Sequence, residues 1–137
     1  MTESRLFIDT TIVAYALDRR DEGQQARAQE LIHAYSDEIV VSTQVLIELY
    51  AASTRKLAMG HSVARSAVEA IGTVPVVDTD RGLVLHALQL SESAQLSIFD
   101  ALIVGAAQRA GCDRLLTEDL SDQQQFDGVT IVNPFLA

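Results

Sequence analysis

Asp9, Glu48, Asp100 and Asp119 each stand where an apolar segment meets a turn or begins a helix. The segments are LFID, VLIELY, SIFDALIVGAA and RLLTED. A carboxylate beside a core is costly unless it is paired or binds a metal. Four that converged would repel one another and would call for a hard divalent cation, Mg²⁺ or Mn²⁺. Each also has a plainer role to weigh. Asp9 can cap a helix starting after it. Ser97-Ile98-Phe99-Asp100 has capping-box spacing, which would account for Asp100 alone. Glu48 shares a helical stripe with Gln44 and Arg55, so it can be a solvated face. Asp119 has Glu118 and Asp122 as close rivals. Thr117 has a hydroxyl able to orient a carboxylate or a water.

The remaining chemistry is sparse. His33, His61 and His86 are dispersed and show no ligand spacing. The single cysteine, Cys112, excludes an internal disulfide and has no partner at zinc spacing, so it reads as a packed thiol. There is no G-x-S-x-G serine setting and no Gly-rich phosphate loop. Arg19, Arg20, Arg55, Lys56 and Arg81 are the main candidates for phosphate contact. The formal net charge of −9 weighs against a broad nucleic-acid-binding face.

The elements that must position these acids follow from hydrophobic pattern and punctuation. Strands are predicted at Leu6 to Ile8, Glu38 to Val41, Val74 to Val77, Arg114 to Leu116 and Thr130 to Val132. Pro75 marks the third as an edge strand. Helices are predicted at Ile12 to Leu17, Gln24 to Tyr35, from a cap at Ser42 or Thr43 to about Arg55 with Lys56 to Ala58 able to extend it, His61 to Ile71, Asp80 to Ser93 and Ser97 to Ala110. Ser121 to Gln125 reads as a polar loop. Strands alternating with helices over 137 residues predict one α/β domain, spanning 1–137, with a mostly parallel sheet. In such sheets sites form beyond the carboxyl ends of strands, where all four acids can meet. The core must be aliphatic, because the chain is 48% hydrophobic but only 5% aromatic. The N-terminus has no signal-peptide pattern, and no apolar run approaches the roughly 18 to 20 residues of a membrane span. A soluble, cytoplasmic protein with no membrane partner is the expectation.

The segments FIDTTIVAYALD, STQVLIELY, SIFDALIVGAAQRAGC and LLTEDLSDQQQFDGVTIVNPF occur in this order over nearly the whole chain. Together they resemble the PIN-domain ribonucleases, in particular the VapC-type toxins of toxin–antitoxin pairs. The resemblance implies a three-layer α/β/α sandwich with a five-stranded, mostly parallel sheet. It implies an Mg²⁺- or Mn²⁺-dependent endoribonuclease with catalytic Asp9, Glu48, Asp100 and Asp119. Asp9, Asp100 and Asp119 would hold the metal, with Thr11 and Thr117 supporting the site. Products would carry a 5′-phosphate and a 3′-hydroxyl. The implied partners are an RNA substrate, a second copy of the chain and an antitoxin. The antitoxin's tail would lie in a groove supplied by Ile12, Tyr15, Leu31, Ile32, Leu49 and Tyr50. The alternative is a PIN-like module kept for binding or assembly without catalysis. A phosphorylatable receiver domain is disfavoured because the only lysine is Lys56, and an acid-anhydride phosphatase because Asp9-Thr10-Thr11 is not an Asp-x-Asp pair.

Overall fold

The computed structural model describes residues 4–136. Their order is β1 (Leu6–Ile8), α1 (Thr10–Leu17), α2 (Glu22–Ala34), β2 (Ile39–Ser42), α3 (Thr43–Arg55), α4 (His61–Ile71), β3 (Val76–Val77), α5 (Arg81–Ala94), α6 (Ile98–Arg109), β4 (Arg114–Leu116), β5 (Gln125–Phe126) and β6 (Val129–Val132). The strands form one sheet in the order β3-β2-β1-β4-β6-β5. The pairings β3–β2, β2–β1, β1–β4 and β4–β6 are parallel, and only β5–β6 is antiparallel.

Every residue of β1 and β2 is buried. Successive strand residues point to opposite faces, so helices must cover both sides of the sheet. That coverage makes the three layers. The core is aliphatic as expected, with Phe7, Ile8, Ile12, Val41, Leu49, Leu83, Leu115 and Ile131 almost fully enclosed. β3 lies at the sheet edge, where Pro75 before it needs no ladder donor.

The described residues hold six strands rather than the five expected. The additional one, β5, begins inside the stretch read as a polar loop. Asp127 and Gly128, both at positive φ (31° and 90°), turn the chain back from Phe126 to Val129. An Asp-Gly pair between two strands is the ordinary sequence mark of such a hairpin, and it was present in FDGVT. Lys56 to Ala58 do not extend α3. Lys56 is its C-cap, and Ala58 turns left-handed at φ 51°. The groove expected from six early residues is not made by all of them. Ile12, Leu31 and Leu49 are core, while Tyr15, Ile32 and Tyr50 are half-buried. No helix among the described residues is long and apolar enough to cross a membrane.

Candidate active site

β1 and β4 are adjacent and parallel, with Ile8 opposite Leu116. Their chains therefore leave the sheet side by side, and the Asp9 amide donates to the Leu116 carbonyl at 3.0 Å. This register sets Asp9 beside Thr117. The Thr117 hydroxyl donates to Asp9 Oδ2 at 2.8 Å and accepts from the Asp119 amide at 3.1 Å. One buried threonine thus fixes a carboxylate from β1 and the backbone of another acid after β4. Asp9 Oδ1 accepts from the Thr10 amide at 2.7 Å, which caps α1. Capping and site are the same geometry here, not competing explanations.

Glu48 arrives from α3. Its Oε1 accepts from the Thr10 hydroxyl at 3.0 Å. One turn earlier on that helix, Gln44 Nε2 donates to the Phe99 carbonyl at 3.1 Å and ties α3 to the start of α6. Ser97 caps α6 by accepting from the Asp100 amide at 3.1 Å. Asp100 therefore faces the same space as Glu48. Asp9, Thr11, Glu48, Asp100 and Asp119 all line one cavity of about 320 Å³, together with Thr10, Gln44, Arg55 and Lys56. Exposure rises from floor to rim: Asp9 is 5% exposed, Glu48 and Asp100 are half-buried, and Asp119 is exposed.

The electrostatics follow from that gradient. Burial, reinforced by the charges of Asp119 and Glu48, pushes the Asp9 carboxyl up to about 7, against the pull of its bonds from Thr117 and Thr10. Asp100 is raised by burial and by Asp119, with Ser97 opposing. Asp119 thus presses on acids from two other elements. All the cavity's strong donors are oxygens, which is the ligand chemistry of a hard divalent ion. Among the described residues no three carboxylate, imidazole or thiol groups stand close enough to enclose an ion as they are. Like charges hold one another apart. The residues present fit such a cation in type and charge, while their side chains as they stand do not enclose one.

Thr11 lines the cavity, but its buried hydroxyl makes no hydrogen bond among the described residues. The threonine that holds an acid from this turn is Thr10, which sequence reasoning missed. Two adjacent threonines differ only in helix phase, and a helix as short as α1 gives too little periodicity to choose between them. Asp122 does not line the cavity; it accepts from the Asn133 amide at 2.8 Å and anchors the loop before β5. Glu118 accepts from the Tyr15 hydroxyl at 2.9 Å. Of the basic candidates, Arg55 and Lys56 reach the acidic cavity, whereas Arg20 is paired with Asp18 at 2.9 Å. His61 contacts the Tyr50 hydroxyl and His86 contacts Gln108, both away from the acids.

The family model for the PIN domain matches residues 6–128. The chain belongs to the PIN-domain family. The matched range includes Asp9, Glu48, Asp100 and Asp119 as well as Thr11 and Thr117. Solved structures share the fold. A toxin–antitoxin complex from Klebsiella pneumoniae is 22% identical, with 96% of this chain and 98% of that one covered at a TM-score of 0.70. VapC20 of Mycobacterium tuberculosis, described as a Sarcin-Ricin loop cleaving toxin, is 19% identical over 80% of this chain and 86% of its own, at 0.69. DNA-bound VapBC from Salmonella typhimurium is 21% identical over 94% and 97%, at 0.68. Comparison with curated proteins gave no match.

Proposed function

We propose that this PIN-domain protein is a divalent-metal-dependent endoribonuclease and the toxin of a toxin–antitoxin pair. The observation that carries the reading is the meeting of Asp9, Glu48, Asp100 and Asp119 in one cavity, with Asp9 buried and bonded from two sides. Similarity to toxins, one of them described as cleaving the Sarcin-Ricin loop, supports RNA as the substrate.

Asp9, Asp100 and Asp119 would hold Mg²⁺ or Mn²⁺. When bound, the cation lowers the pKa of a water and offsets charge on the phosphate. Thr117 and Thr10 keep Asp9 in one rotamer, so this ligand is set before substrate arrives. Glu48 uses Oε1 to accept from Thr10. Its Oε2 is left to take the proton of the attacking water. The water oxygen joins phosphorus, the bond to the 3′ oxygen breaks, that oxygen takes a proton from solvent, and the products carry a 5′-phosphate and a 3′-hydroxyl. Arg55 and Lys56 bring positive charge to a site that would otherwise repel RNA.

Two protein partners complete the proposal. Ile47 and Phe99, 70% and 62% exposed, flank the acidic cavity on α3 and α6 and suit a homodimer face. A cleft of about 660 Å³ beside α1, α2 and α4, with Leu17, Met59 and Val63 on its walls, suits an antitoxin tail. The toxin–antitoxin complexes of the same fold support such a partner. The test is incubation of total cellular RNA with purified, antitoxin-free protein in Mg²⁺, in Mn²⁺ and in chelator, beside Asp9→Asn. Discrete fragments that need both metal and Asp9 are expected. Equal cleavage by the two proteins at matched metal would sink the proposed site.

A further inference from the structure

Beside the acidic cavity lies a second one, of about 200 Å³, and the two share Thr11, Ala52 and Lys56 on their linings. Tyr15 and Glu118 stand on the wall of the second, joined by the 2.9 Å bond from the tyrosine hydroxyl to Glu118 Oε1. Phe135 meets the Tyr15 ring edge-on, with centroids 4.8 Å apart, and holds it in place. Glu118 is exposed and immediately precedes Asp119. The second cavity's other acid, Asp18, is paired with Arg20, and a single peptide unit ties Glu118 to an acid of the first cavity.

The cations are unevenly committed. Arg20, Arg27, Arg65, Arg109 and Arg114 are all in ion pairs. Among the described residues Arg19, Arg55, Lys56 and Arg81 have neither an ion pair nor a side-chain hydrogen bond, and of these Arg55 and Lys56 line the cavity that holds four carboxylates. Lys56 lies on both cavities, where a polyanion crossing from one to the other must pass it.

We infer that the second cavity is a base-reading subsite for the nucleotide next to the cut, with Lys56 on the intervening phosphate and Glu118 selecting guanine. The inference rests on the ribonuclease reading above. An ionised carboxylate only accepts hydrogen bonds. Tyr15 occupies one acceptor position on Oε1, which leaves Oε2 and a second position on Oε1. Guanine offers two adjacent N–H donors on its Watson–Crick edge and matches that pair. Adenine and cytosine set a ring-nitrogen lone pair beside their amino donor, and uracil sets carbonyls on both sides of its single N–H. Each of these opposes a lone pair to the carboxylate. Unpaired RNA exposes this edge, and an aromatic wall such as Tyr15 is what an unstacked base packs against.

The test has two arms. In the first, single-stranded RNAs randomised in sequence are cut by wild type and by Glu118→Gln, and the fragment ends are sequenced. Guanine should be favoured about tenfold or more at one position adjoining the cut. Glu118→Gln, which presents one donor and one acceptor, should flatten that preference. In the second, labelled oligonucleotides with and without guanine are titrated onto Asp9→Asn in chelator, alone and combined with Glu118→Gln or Lys56→Ala. Guanine should tighten binding about tenfold, and Glu118→Gln should abolish the difference. Lys56→Ala should weaken all sequences alike and lower the salt slope by about 0.7. Cleavage without a guanine preference, or one that survives Glu118→Gln, overturns the subsite and leaves the ribonuclease reading standing. Absence of cleavage by wild type sinks the ribonuclease reading instead, and the titration then decides the subsite. Equal binding of the two oligonucleotides, or a preference untouched by Glu118→Gln, overturns it.

Discussion

Replacing Asp9 by asparagine should stabilise the metal-free protein at pH 8 while removing its activity. Asp9 is 5% exposed, and its carboxyl is raised from 3.8 to about 7, first by burial. Below pH 4 the group is protonated in folded and unfolded chains alike and carries no penalty. As pH rises from about 4 to about 7 the unfolded chain releases the proton and the folded chain keeps it, so stability falls; above 7 the loss is complete. The gap corresponds to about 4 kcal/mol. Asparagine removes the charge but replaces one carboxylate oxygen by a donor, so the bonds from Thr10 and Thr117 cannot both be kept, at a cost of about 1 to 2 kcal/mol. A net gain of about 2 kcal/mol is expected at pH 8, or about 6 °C in Tm for a chain of this size. Near pH 4.5 the gain should vanish or reverse. The assay is urea denaturation of both proteins in chelator at the two pH values. An Asp9→Asn protein that is less stable than wild type by the same amount at both pH values would refute the reasoning. Mg²⁺ should then stabilise wild type in proportion to RT ln(1 + [Mg²⁺]/Kd) and leave Asp9→Asn unmoved.

Other perturbations test the remaining parts. Thr117→Val should lower kcat/KM about tenfold or more, because it removes both the donor to Asp9 and the acceptor for the Asp119 amide; an unchanged kcat/KM in a protein with native circular dichroism would deny Thr117 its positioning role. Gly105→Val should cost about 2 to 3 kcal/mol in urea denaturation, since even a Cβ there would lie 3.1 Å from Leu83 Cδ1 and Leu83 is 1% exposed. A neutral result would contradict the close approach of α5 and α6. Burial pushes the Cys112 thiol up to about 11, so it should resist a thiol reagent at pH 8 and react once urea unfolds the chain. Rapid labelling of the native protein would show that the thiol is not enclosed.

Much of the fold and the candidate site was legible because both are written in local chemistry. An acid at the end of an apolar run marks a strand leaving a sheet, and Asp9 and Thr117 lie at the carboxyl ends of neighbouring parallel strands. Pro75 placed β3 at an edge before any pairing was known. Helix starts at Ser42 and Ser97 were legible as capping serines before apolar runs, and each accepts from an amide three residues on; Asp80, read as the first residue of its helix, is instead its cap. What escaped depends on the third dimension. Glu48 is held by Thr10 rather than Thr11, a choice made by the phase of α1 against α3. Ile12, Leu31 and Leu49 have the same residue types as groove-lining positions, and only packing buries them. The β5–β6 hairpin did leave a signal, the Asp-Gly pair, which a polar stretch beside it obscured. That Tyr15 and Glu118 meet, 103 residues apart, follows from β4 lying next to β1 and from nothing in either residue's surroundings.

The measurement nearest the central claim is the cleavage rate of single-stranded RNA against Mg²⁺ concentration, for wild type and Asp9→Asn in parallel. The account predicts a rate that is nil in chelator, rises to saturation with the metal for wild type, and stays at background for Asp9→Asn throughout. Cleavage that persists in chelator, or that rises equally in both proteins, would contradict it. A folded wild type that never cleaves would point to a PIN fold kept for binding.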